Sequence, residues 1–181
     1  MSNFEFVFSL FGLLLGLALA EVLGGFGTAI QARRKIRIGW LTPLLGLLVA
    51  LDLTSFWMSA WRVRELIPPT HISLYFGLAL IGLYFLVARL TFPHDPDQWR
   101  DLDAYYDEHK KWVLGGTIAC NLLAIGGMTA IGVNPLGEWR GWAVAISYTV
   151  PAVAAIVLRG RRVNLALLAY LVLLYPVMAV V

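Results

Sequence analysis

Residues 4–32 read FEFVFSLFGLLLGLALAEVLGGFGTAIQA, residues 33–37 read RRKIR, and residues 40–61 read WLTPLLGLLVALDLTSFWMSAW. Two apolar runs, each long enough to cross a bilayer, flank a basic hinge too short to be a linker. About 20 mostly apolar residues suffice for a helix to cross the hydrocarbon layer. The same pattern continues along the chain, and six spans follow: Phe4–Ala32, Trp40–Trp61, Ile72–Phe92, Trp112–Val133, Trp139–Leu158 and Val163–Val181. Pro68-Pro69, Pro93 to Pro96, Asn134-Pro135-Leu136-Gly137 and Arg159-Gly160-Arg161-Arg162 make the other breaks. The expected fold class is an all-α integral membrane protein, residues 1–181 forming a single transmembrane domain.

Composition agrees. Of the 181 residues 60% are apolar and 14% charged, where a soluble domain carries about 45–50% and about 25%. Soluble enzymes, disordered chains and nucleic-acid binders are set aside; the net charge of +3 has no free surface on which to form a nucleic-acid face. A single cysteine, Cys120, rules out a disulfide framework and a multi-cysteine metal site.

Loop charge sets the orientation. The loops after spans one, three and five hold Arg33, Arg34, Lys35, Arg37, Arg89, Arg100, Lys110, Lys111, Arg159, Arg161 and Arg162; the other side holds Arg62, Arg64 and Arg140, a bias of 11 to 3. Positive loops stay in the cytoplasm. The chain is therefore expected in the plasma (inner) membrane with both termini outside, and Trp40, Trp61, Trp99, Trp112, Trp139 and Trp142 fall near the interfaces. Ala18-Leu19-Ala20 imitates a signal-peptidase site, but the stretch before it has no lysine or arginine and carries Glu5, so it reads as a span.

Span one carries Gly12, Gly16, Ala20 and Gly24 at four-residue intervals. Small residues at that spacing let membrane helices approach closely, which would make span one the crowded central helix. Span four repeats the device with Gly116, Cys120 and Ala124, and a polar residue follows in each, Glu21 and Asn121. Tyr84 stands eleven residues after Ser73 and Tyr175 eleven after Asn164. These parallels suggest a three-helix unit used twice with inverted topology, a plan common in transporters. Before span four, residues 95–111 read as a cytoplasmic amphipathic helix: Asp95 caps, Pro96 suits the first position, Gln98 completes a capping box, and Trp99, Leu102, Tyr106, His109 and Val113 share a face. Its acids read as a solvated face, and His94 and His109 fit no metal-ligand spacing.

Hydrolase, metalloprotease and phosphate-loop motifs are absent from the sequence. No haem ligand pair and no intramembrane lysine for a Schiff base are found, so neither cofactor nor metal is expected. Two carboxylates, Glu21 and Asp52, lie within the spans. Such groups are costly in lipid and usually line a cavity or pathway; as glue, they would bond Asn121, Tyr75, Tyr84 or Tyr148. Beyond Asp52 one face carries Ser55, Ser59 and Arg62, and before it Leu48, Leu45 and Leu41. Around Glu21 the pattern reverses: Gly24, Gly25, Thr28 and Gln31 lie toward the basic loop, and Leu17, Leu14 and Leu10 away from it. Glu21 and Asp52 therefore read as two offset half-paths, inward and outward, with Thr28, Ser55, Ser59 and Asn121 on the way. The leading reading is a channel or transporter for protons or a small cation, embedded in the lipid bilayer and working as a homo-oligomer or with a membrane-complex partner. The alternatives are an accessory subunit of a membrane complex and a membrane enzyme on a lipid-like substrate.

Overall fold

Apolar runs bounded by glycine, proline and charge fold as uninterrupted helices, because lipid offers no other partner to the backbone N–H and C=O groups. The computed structural model describes residues 3–180, with side chains from 8 to 178. Six helices follow one another: α1 (Asn3–Ala32), α2 (Leu41–Arg62), α3 (His71–Thr91), α4 (Leu102–Ala130), α5 (Trp139–Val157) and α6 (Arg161–Val180). All six are long and apolar enough to cross a membrane. Their limits lie within a few residues of the expected spans, except that α4 begins ten residues earlier. Val181, the expected end of span six, lies outside the described residues.

The three basic loops meet at one end of the bundle, here the basic end. Lys35 pairs with Asp97 at 2.5 Å and Arg161 with Asp103 at 2.9 Å, and Leu102 N–H donates to the Arg37 carbonyl at 3.1 Å. Asp103 also caps α2 from α4, accepting from Leu41 N–H at 3.1 Å. Gly39 is required there: its φ is +66°, and a Cβ would run into the Asp103 carboxylate. At the far end, Gly132 (φ +86°) closes α4, with Val133 N–H donating to the Met128 carbonyl at 3.0 Å, a left-handed helix stop.

α2, not α1, is the central helix. It packs on α1, α3, α4 and α6, and 44% of its most apolar stretch is buried against 17% of that of α1. α1 buries Leu15, Ala18, Val22 and Ala29. The expected stripe runs on another face: only Gly12 meets a neighbour, the Trp57 ring, while Gly16 and Gly24 have open space before them and Ala20 is exposed. Close approach is made instead by rings seated in glycine notches. Phe92 fills the space at Gly25 and Gly46, Phe11 that at Gly77, and Phe76 that at Gly127.

Residues 95–111 do not form one helix. Asp95 caps only a short 3-10 turn, Pro96–Gln98, accepting from Asp97 N–H at 3.1 Å. Trp99 is extended, and Asp101 starts α4, accepting from Ala104 N–H at 2.7 Å. The break lets Leu102 N–H reach the Arg37 carbonyl. The face holding Leu102, Tyr106 and Val113 is buried in the protein. The halves also pack differently: α1 lies along α3, while α4 and α6 join through long side chains, Tyr106 and Lys110 with Asn164.

Candidate functional site

Leu41, Leu45, Leu48 and Val49 put one face of α2 into the core, and Asp52 continues that face. Its carboxyl is 3% exposed. Tyr175 of α6 donates to Oδ1 at 2.7 Å, Asn121 of α4 to Oδ1 at 3.1 Å, and Tyr84 of α3 to Oδ2 at 3.2 Å. All three partners are neutral. A hydrogen bond to a charged group contributes about 1.5–3 kcal/mol, while burying an ion costs several, so the three bonds offset part of the cost of burial.

A fourth hydroxyl adjoins the cluster. Tyr148 of α5 is 7% exposed and stands edge-on to the Tyr175 ring, centroids 6.4 Å apart. Its hydroxyl lies near the hydroxyls of Thr117 and Tyr175 without a well-formed hydrogen bond to either, the single such buried side-chain atom among the described residues. Thr117 bonds back to the Leu114 carbonyl at 2.9 Å, and Cys120 is buried on the same helix. Five helices, α2 to α6, thus converge on one carboxyl. Among the described residues no three His, Cys, Asp or Glu side chains come together; the Asp52 carboxylate is bonded by two hydroxyls and one amide.

The surroundings of Asp52 are asymmetric. Toward the basic end, Thr117 is followed along α4 by Lys110 and Tyr106, both buried. Lys110 donates to the Leu158 carbonyl at 2.9 Å, and Tyr106 to Asn164 Oδ1 at 2.7 Å. Asn164 in turn donates to the Leu158 and Gly160 carbonyls at 3.1 and 3.0 Å, latching α4 to the α5–α6 turn. Val113, Leu114, Leu168 and Leu171, all buried, lie between this latch and the cluster. Toward the far end, one turn beyond Asp52, Tyr84 and Asn121, is an apolar pocket of about 300 Å³ walled by Phe11, Phe56, Trp57, Phe76, Ile81 and Ala124. The expected polar face beyond Asp52 is not part of it: Ser55 is exposed on the outside of the bundle and Ser59 half-buried. The buried polar groups continue from Asp52 toward the basic end, opposite to the direction suggested by Ser55, Ser59 and Arg62.

No family model, no curated protein and no solved structure matches this chain.

Glu21 stands apart. It receives Arg89 at 2.8 Å, and Arg89 also reaches His94 Nδ1 at 3.2 Å. The pair is partly exposed, 32% for Glu21 and 47% for Arg89, in a cleft of about 420 Å³ between α1 and α3 that Thr28, Gly24 and Ala20 also line. Thr28 donates to the Gly24 carbonyl of its own helix at 3.1 Å and extends no file. No residue lining this cleft bonds to Asp52, so the two carboxyls have separate partners. Of the expected site residues, the structure joins Asp52 to Asn121 and places Thr28 in the same cleft as Glu21 without a bond between them. Tyr84 belongs to the Asp52 cluster, while Tyr75 is exposed beside His71. Tyr175, Thr117, Lys110 and Asn164 were not expected at the site. The equal spacing of Tyr84 from Ser73 and Tyr175 from Asn164 was the one sequence signal, since both tyrosines end on Asp52.

Proposed function

We propose that this chain is a small channel or transporter of the plasma (inner) membrane, conducting protons or a small monovalent cation with Asp52 as the ion-binding group. The basic end faces the cytoplasm, both termini lie outside, and the chain works as a homo-oligomer. One observation carries the reading: a carboxyl buried among five membrane helices is held only by neutral donors, from α3, α4 and α6. An intramembrane acid without a fixed counter-charge is a binding place for one.

The chemistry follows from donor counting. The ionised carboxylate accepts from Tyr84, Asn121 and Tyr175. Once protonated it donates through one oxygen, so one hydroxyl must turn round and accept. Tyr84 and Tyr175 can do so; the Asn121 amide N–H cannot. Occupancy of Asp52 is thereby coupled to the seating of α3 and α6 around α2. Val113, Leu114, Leu168 and Leu171 close the basic-end side, while the apolar pocket on the far side reaches Ile72 and Ile131 at the ends of α3 and α4, so it is the basic-end side that has to open for ions to pass.

The competing reading, a structural subunit of a larger complex, is favoured by the threefold bonding of Asp52, which also suits pure glue. Reconstitution separates the two. Purified protein in liposomes carrying a pH-sensitive dye is expected to dissipate an imposed proton or cation gradient faster than protein-free liposomes. Equal rates under both gradients contradict transport and leave the structural reading.

A further inference from the structure

Tyr148 presents a buried hydroxyl to the Asp52 cluster with no well-formed hydrogen bond, its neighbours Thr117 and Tyr175 being engaged elsewhere. Such a group costs about 1–3 kcal/mol, and a phenylalanine would avoid the cost. Around it are the hydroxyls of Thr117 and Tyr175 and, through Tyr175 and Asn121, the Asp52 carboxylate. Asn121 uses its amide nitrogen toward Asp52 and the Thr117 carbonyl, leaving its Oδ1 as an acceptor. These are hard oxygen donors, the ligand type of the alkali and alkaline-earth cations.

We infer that this cluster binds a dehydrated monovalent cation, sodium in preference to potassium, with the Tyr148 hydroxyl among its ligands. The inference rests on the reading of Asp52 as the ion-binding group and adds the identity of the ion. Charge selects a monovalent ion: one carboxylate neutralises one positive charge, whereas a divalent ion leaves an uncompensated charge in the membrane interior. Size selects sodium. Asp52 and its partners stand at hydrogen-bonding distances of 2.7–3.2 Å, so a small ion enters with less displacement of five packed helices than a large one. Tyr175 keeps its bond to one carboxyl oxygen while a lone pair turns to the ion, and Tyr148 gains the partner it lacks.

The test is the thermal unfolding midpoint of the purified full chain in detergent at constant ionic strength, with choline chloride replaced by sodium or potassium chloride. A ligand that binds the folded state raises the midpoint saturably. Sodium is expected to raise it, with potassium effective only at higher concentration. Asp52→Asn should abolish the rise. Tyr148→Phe should melt at or slightly above the wild-type midpoint in choline, yet need about tenfold more sodium, the loss of one ligand worth about 1.4 kcal/mol. A purely structural Tyr148 leaves the sodium dependence of the phenylalanine variant unchanged. That result, or equal wild-type midpoints in all three salts, overturns the inference. Should Asp52→Asn fail to fold, Tyr148→Phe and the salt series decide alone. Sodium stabilisation without flux in liposomes removes the transport reading and keeps the site; flux without sodium stabilisation removes the site.

Discussion

Asp52 and Glu21 are the same kind of residue in the sequence, acids within apolar spans, and the structure treats them oppositely. Glu21 is charge-compensated by Arg89 in a partly exposed cleft; Asp52 has only hydroxyl and amide donors. The difference depends on residues remote in sequence, 68 positions away for Arg89 and 123 for Tyr175, so it could not be read from the flanks of either acid. At this scale the two tyrosines beside each other on α5 and α6 should behave differently. Tyr175→Phe removes a 2.7 Å bond to the carboxyl and is expected to lower stability by about 1.5–3 kcal/mol. Tyr148→Phe removes a hydroxyl without a well-formed hydrogen bond and should be neutral or slightly stabilising without sodium. Denaturant unfolding in detergent, in choline buffer, compares them. A larger loss for Tyr148→Phe means that its hydroxyl is bonded in the folded protein.

The helices themselves were legible because a run of 20 apolar residues has few folds open to it in lipid. Their rotation was not. Lipid tails are as apolar as leucine, so a membrane helix shows no hydrophobic contrast between its lipid and core faces. The four-residue interval from Gly12 to Gly24 therefore pointed to a packing face that the structure leaves mostly open, while the neighbouring residue Gly25 receives the Phe92 ring. The start of α4 was hidden for another reason: Asp101 replaces Asp95 as the cap because Leu102 N–H is held by Arg37 from a different loop. Gly25→Leu is expected to cost more than 1–3 kcal/mol, the usual range of overpacking, since a ring fills the space its Cβ would take. Gly16→Leu, with open space before it, should change the melting midpoint of the solubilised chain little. The reverse order would show that α1 is rotated in the membrane, or that a second copy covers Gly16.

On the scale of the whole molecule, the three basic loops are tied into one platform by Lys35–Asp97, Arg161–Asp103 and the Arg37–Leu102 bond. The sequence had placed them together through charge alone; the pairing partners in 97–103 add why they stay together. Orientation follows if the platform is cytoplasmic. A cysteine at Arg34, in a chain whose own Cys120 is buried, should resist a membrane-impermeant thiol reagent on intact cells and react after permeabilisation. Labelling of intact cells would invert the topology and, with it, the side to which the polar residues from Asp52 to Lys110 lead.

The central claim is that Asp52, and not Glu21, carries the ion. Proton and sodium flux of the wild type, Asp52→Asn and Glu21→Gln, measured side by side in the same liposomes at matched protein content, tests it most directly. Both substitutions keep the side-chain shape and remove the titrating group. The account predicts that Asp52→Asn abolishes flux while Glu21→Gln, which weakens only a partly exposed ion pair worth about 1 kcal/mol or less, retains nearly all of it. Wild-type flux in Asp52→Asn, or its loss in Glu21→Gln alone, would contradict it.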